Sequence, residues 1–231
     1  MENPRLEEEY RFLQNEQMNK NQIESGSTLD TIIKRDAERY TEDNIEKEFI
    51  YRDYNGNPLY RIIKQKEGEE YVVQNFQNGV YDYGMNGTQK VPYNMPDLNN
   101  SKDKIIFITN GEDKADLIKD LGFIATTAPF SSPKKWRKEF NYYLANAKGV
   151  IILQDNKRSN IRYVSNTYTT IKEDIKNIGI VKITDLAMQL GVDLEEETTL
   201  ITLKEKLNNN EKLKEMFETL VTLMEPQTSE V

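Results

Sequence analysis

Two short apolar runs end in the residues of this chain best placed to do chemistry. In Lys104-Ile-Ile-Phe-Ile-Thr-Asn-Gly-Glu-Asp-Lys-Ala-Asp116, four apolar residues lead into a turn at Asn110-Gly111-Glu112, and helical spacing starts at once with Ala115 and Leu117-Ile118. In Gly149-Val-Ile-Ile-Leu-Gln-Asp155, a second apolar run ends in Asp155-Asn156-Lys157. Polar turns after buried strands are where open α/β sheets place their chemistry. The chain has no His and no Cys. Imidazole acid–base catalysis, thiol chemistry, disulfides and Cys- or His-ligated zinc are therefore excluded. Carboxylates, amides and lysines remain. One reading makes these turns a site for a hard cation or a phosphate; the plain alternative makes them solvated βα turns.

The first turn resembles the opening motif of a TOPRIM domain, as found in phage and plasmid DNA primases. That motif runs from an apolar strand to Glu-Gly-Glu and then an Asp a few residues into the helix. The second turn resembles the Asp-x-Asp of the same domain. The resemblance implies that the first Glu and both Asp hold divalent metal ions beside substrate phosphates. This chain departs from that pattern at two positions: Asn110 stands for the Glu and Lys157 for the second Asp. Glu112 and Asp155 survive. Asn110 keeps an oxygen acceptor without charge, and Lys157 reverses the sign. Glu112, Asp113 and Asp116 leave the first turn acidic, yet the expectation is a degenerate site with no catalytic residues, no bound metal and no cofactor.

The likeness continues in order from Phe49 to Asp185. Asn55-Gly56-Asn57 marks a hairpin within Phe49–Ile63, and Tyr71–Phe76 and Val80–Tyr83 continue a meander. Val91-Pro-Tyr-Asn-Met-Pro is similar to the connector that precedes TOPRIM in these primases. Lys134-Lys-Trp-Arg137 is similar to the stretch that opens a later helix. From Lys104 the spacing predicts strands at 104–109, 123–127, 149–154 and 180–184. Helices are predicted at 114–120, 133–147 and 160–177, and such alternation indicates a parallel sheet. The acidic run usual after the fourth strand is absent near Asp185–Asp193.

The fold class expected is thus α/β: a small antiparallel β module, a TOPRIM-like parallel sheet with flanking helices, then C-terminal helices. The division expected is an acidic helical arm at 1–48, the β module at 49–100, the degenerate TOPRIM-like domain at 101–185 and helices at 186–231. Leu213, Phe217, Leu220 and Leu223 form a stripe that suits covering the sheet.

Basic residues suggest where a nucleic acid would lie. Lys134, Lys135, Arg137 and Lys138 surround Trp136, and Lys157, Arg158 and Arg162 follow the second turn. Each group suits phosphate contacts, with Trp136 or Phe130 available to stack a base. Trp136 equally suits packing, with the lysines as its solvated surround. Tyr51, Tyr60, Tyr71, Tyr81 and Tyr83 alternate at strand spacing and suit either a stacking surface or a half-buried sheet face.

The net charge of −8 over 231 residues is unevenly spread. Residues 49–185 carry 20 basic and 16 acidic side chains, between two acidic arms. Nucleic-acid binding by the middle segment is favoured, and strong nonspecific binding by the whole chain is not. No run is apolar enough for a signal peptide or membrane span, which indicates a bacterial host cytoplasm. The expectation is a catalytically inactive, primase-derived viral protein that binds RNA, single-stranded DNA or nucleoprotein. Its expected role is to inhibit a host RNA-guided defence ribonucleoprotein in the manner of an anti-CRISPR protein. The alternatives are a non-catalytic replication accessory and a residual metal-dependent primase. Sequence leaves the oligomeric state open.

Overall fold

The computed structural model describes residues 44–66, 71–85, 87–129, 135–155, 158–192 and 200–223. The chain divides into two compact units at Val91–Pro92. The predicted arm over 1–48 lies outside the described residues up to 43, and its last residues already belong to a strand.

The first unit holds an antiparallel meander of β1 (Ile45–Arg52), β2 (Pro58–Gln65), β3 (Tyr71–Gln77) and β4 (Val80–Tyr83), in that order across the sheet. Its first turn is built by Asp53, whose carboxylate accepts the backbone N–H groups of Asn55 and Asn57 and the Asn57 side-chain amide at 2.8–2.9 Å. Burial pushes this carboxyl up, but those hydrogen bonds outweigh it and hold it below its ordinary value. Phe49, Tyr51, Tyr60 and Ile62 share one face and are buried. The Tyr51 and Tyr60 rings stack at 4.4 Å. These two tyrosines are core, with no face left for a base. Arg61 on the other face donates to Gln74 and Glu48 and lies 4.2 Å from the Tyr81 ring centroid, so this tyrosine is also engaged. Tyr71 is the exposed member of the set.

The second unit contains a four-stranded parallel sheet, β5 (Ile105–Ile108), β6 (Ile124–Thr126), β7 (Gly149–Gln154) and β8 (Ile178–Lys182), in the order β6-β5-β7-β8. Around it lie α1 (Met95–Asn99), α2 (Glu112–Asp120), α3 (Arg158–Ile171), α4 (Ile183–Gln189), α5 (Leu200–Asn208) and α6 (Glu211–Leu223). Ile106, Phe107, Ile108 and Val150, Ile151, Ile152 are buried without alternation, as strands covered on both faces must be. Of the C-terminal stripe, Phe217 of α6 lies edge-on to Phe123 at 5.3 Å, and Phe123 in turn meets Phe107 of β5 edge-on at 5.6 Å. Lys204 of α5 pairs with Asp120 at the end of α2.

The α/β architecture is the expected one, with local differences. The helix predicted over 133–147 is a 3-10 segment, Lys138–Leu144. Within it, Asn141 is held by side-chain hydrogen bonds to Trp136, Thr170 and Asp174. The helix predicted over 160–177 ends at Ile171, and β8 begins two residues early at Ile178. No described helix is long and apolar enough to cross a membrane.

Candidate functional site

The strand order places a topological switch between β5 and β7. The chain leaves β5 toward β6 on one side and returns to β7 on the other, which opens a crevice at the carboxyl ends of these strands. Ile108 lies opposite Ile152, so Asn110 and Gln154 reach the same end of the sheet. The two turns singled out in the sequence are thus neighbours in space.

Local chemistry shapes the first turn. Thr109 is buried; its N–H donates to the Thr126 carbonyl at 3.0 Å and its hydroxyl to the Gly111 carbonyl at 2.9 Å. Gly111 has φ 129°, and its N–H donates to the Thr127 hydroxyl at 3.2 Å. A Cβ there would meet nothing within 4 Å, so backbone conformation and not crowding calls for glycine. Helix α2 then starts with Glu112, which is buried, while Asn110 is half-buried.

The second turn is held by Asn160, buried in the first turn of α3, whose side-chain oxygen accepts the Asp155 N–H at 3.0 Å. The Asp155 side chain is only 10% exposed, and the Lys114 ammonium of α2 is hydrogen-bonded directly to it. A cation from the helix after the first turn therefore sits on the aspartate of the second. Among the described residues, no three acidic side chains converge as a metal cage would require.

Two buried phenols flank this crevice. Tyr93 hydrogen-bonds to Asp116; burial and the adjacent Asp116, Glu112 and Asp113 charges push its ionisation far above the ordinary range. Burial also raises Tyr163, against hydrogen bonds with Thr127 and the Ala128 N–H. Sequence reasoning gave no role to Lys114, Tyr93, Tyr163 or Asn160. One signal for Lys114 was available. A lysine in the first turn of a helix faces the positive end of the macrodipole and needs an acid to hold it there.

Among the described residues, the predicted basic side chains Arg162 and Lys138 lie toward opposite ends of α3. Lys134 and Lys157 lie outside the described residues, as does the Arg158 side chain. Lys135 is exposed, Arg137 pairs with Glu139 at 3.4 Å, and Lys138 pairs with Glu173 at 3.2 Å, beyond the C-terminal end of α3. Arg162 is exposed in the second turn of α3. A helix of 14 residues is about 20 Å long, and it separates the two groups. Trp136 is buried at 1% exposure, edge-on to Phe140, with its indole N–H on the Asn141 side-chain oxygen at 2.9 Å. The Asn141 amide donates in turn to the Thr170 carbonyl and the Asp174 carboxylate. Trp136 packs, and cannot stack a base.

No protein-family model and no curated protein matches the chain. Solved structures do. The DnaG catalytic core has 12% identity and a TM-score of 0.51, covering 73% of this chain and 52% of that one. The E. coli primase catalytic core has 12% identity and a TM-score of 0.52, covering 74% and 50%. A DnaG primase catalytic domain bound to ssDNA has 12% identity and a TM-score of 0.51, covering 73% and 52%. The chain spans about half the length of these primase chains. The likeness is one of fold: a mixed α/β architecture with an antiparallel and a parallel four-stranded sheet, shared with the catalytic cores of DNA primases.

Proposed function

We propose that the chain is a primase-derived protein that works by binding nucleic acid or nucleoprotein, without metal-dependent chemistry. The observation that carries this reading is Lys114 seated on Asp155. Asp155 occupies the position that the TOPRIM pattern assigns to a metal ligand. A divalent cation there would have to expel an ammonium from a largely buried carboxylate, with Asn110 supplying no charge in return. Mg²⁺ binds oxygen-rich sites whose carboxylates offset its charge. The described residues do not fit such an ion.

A nucleic-acid partner is supported by fold alone: one of the solved primase domains was captured with ssDNA. The charge pattern agrees, with a mildly basic middle segment between acidic arms. The partner class proposed is a host RNA-guided defence ribonucleoprotein, which exposes nucleic-acid strands beside protein. Inhibition of such a complex needs a shaped surface and no chemistry. The test has two arms. Purified protein is assayed for primer synthesis and strand cleavage with Mg²⁺ or Mn²⁺, and tagged protein is used to capture partners from a bacterial host. The expected result is no metal-dependent product and recovery of a defence ribonucleoprotein. Activity that vanishes in Asp155→Ala would overturn the first half. Recovery of replication proteins alone would replace the second half with a replication accessory role.

A further inference from the structure

Helix α3 carries its charges against its own dipole. Among the described helices it is the only one with no carboxylate, in a chain with 39 acidic residues. Arg158 and Arg162 stand in its first two turns, where the macrodipole disfavours cations, and its first turn contains no acid. Asp155 just before the helix is paired with Lys114, and the acids just after its C-terminus are also engaged, Glu173 by Lys138 and Asp174 by Asn141. Asn160, Tyr163, Val164, Thr167 and Ile171 form its buried side. Arg162, Ser165, Asn166 and Thr169 are exposed on the other side, with Ile161 46% exposed beside them. Among the described residues, no ion pair to Arg162 offsets this charge order. A local rule broken without internal compensation marks a surface shaped by something outside the chain.

We infer that the exposed side of α3, from Arg162 to Thr169, is the track on which a single-stranded nucleic-acid backbone lies. This rests on the nucleic-acid reading above and names the surface for it. Arginine, hydroxyl and amide side chains are the groups that contact phosphate and sugar, and an acid-free stripe spares the strand like-charge repulsion. From Ile161 to Thr169 the stripe rises about 12 Å, the length of roughly three stacked nucleotides. It also joins the two basic groups that the fold holds apart, with Arg158 and Arg162 at one end and Lys138 at the other.

The test measures binding of fluorescein-labelled oligothymidylate and oligouridylate by anisotropy over a range of salt. It compares the native chain with Arg162→Glu, Ser165→Asp/Asn166→Asp, Asn166→Lys and Lys135→Glu/Lys138→Glu. These positions are exposed, and circular dichroism confirms that each variant is folded. The expected result is a loss of about 10-fold or more in the acid-adding α3 variants, a salt slope shallower by about one in Arg162→Glu, and a gain in Asn166→Lys. The oligothymidylate and oligouridylate arms show whether DNA or RNA is the ligand. If the native chain binds and the α3 variants match it while Lys135→Glu/Lys138→Glu fails, the α3 track is overturned and the nucleic-acid reading stands. If the native chain binds neither strand, both fall.

Discussion

Lys114 answers at residue scale a question that the two strand turns pose. It lies one helical turn beyond Asn110, on the helix that Gly111 starts, and reaches the aspartate at the end of the neighbouring inner strand. Removing the ammonium takes a charged partner from a carboxylate that is 10% exposed. Lys114→Met is therefore expected to lower stability by about 1–2 kcal/mol in urea unfolding, discounted for the partial exposure of the lysine. Adding Asp155→Asn should recover most of that loss, and a double-mutant cycle without coupling would contradict the pairing. The same contact is expected to oppose a metal ion at Asp155. Restoring carboxylates with Asn110→Glu/Lys157→Asp should raise Mn²⁺ binding in calorimetry, and adding Lys114→Ala should raise it further. Equal affinity with and without that third change would show that the ammonium is no barrier. Tyr93 gives a pH prediction. Its native ionisation is raised above the ordinary value of 10.0, so its contribution is intact below that pH. Above it the unfolded phenol loses its proton while the native one keeps it, and stability falls as pH rises. Base-induced unfolding should start at higher pH in Tyr93→Phe.

At the scale of elements, two joints set the site. The β5–α2 joint needs Gly111 at φ 129°. Gly111→Ala is expected to cost about 1–3 kcal/mol through backbone strain alone, since the new methyl has open space around it. A thermal melt indistinguishable from the native chain would show that the turn relaxes freely. The second joint ties the 3-10 segment to the end of α3. Asn141 is 3% exposed and serves Trp136, Thr170 and Asp174 at once. Asn141→Ala strands an indole N–H and a carbonyl, for an expected loss of about 2–3 kcal/mol. Its partners lie at the far end of α3 from Asp155, so Mn²⁺ affinity in the carboxylate-restored variant should not change.

For the whole molecule, charge distribution decides how binding responds to salt. The chain is acidic overall at −8, while 49–185 has a basic excess. Binding should therefore be confined to one surface and weaken steeply with salt, since each phosphate contact releases counterions. Lys134→Glu/Lys135→Glu and Lys157→Glu/Arg158→Glu are expected to reduce capture of a nucleic-acid or nucleoprotein partner, most visibly at low salt. Glu7→Lys/Glu8→Lys in the acidic arm should leave it unchanged. The inverse result, with arm variants failing and basic variants binding, would make the arm a nucleic-acid mimic that occupies a basic groove on its target.

The sequence by itself determined the class of the fold. Short apolar runs bounded by turn residues, such as Val150–Leu153, indicate strands buried on both faces, and the turn signal at Asn55-Gly56-Asn57 between strand-like runs indicates a meander. It also determined that both candidate turns end strands, and that an acid stands in each, Glu112 and Asp155. Side-chain partners were not legible, because they depend on which strands are neighbours. β5 and β7 are adjacent although β6 comes between them in the chain, and that adjacency alone brings Lys114 to Asp155. Burial of Trp136 likewise depends on Asn141 meeting the end of α3, a contact across 29 residues to Thr170. Periodicity reports which face of an element is apolar. Only packing decides which polar group stands opposite, and at this site it sets the Lys114 ammonium on Asp155.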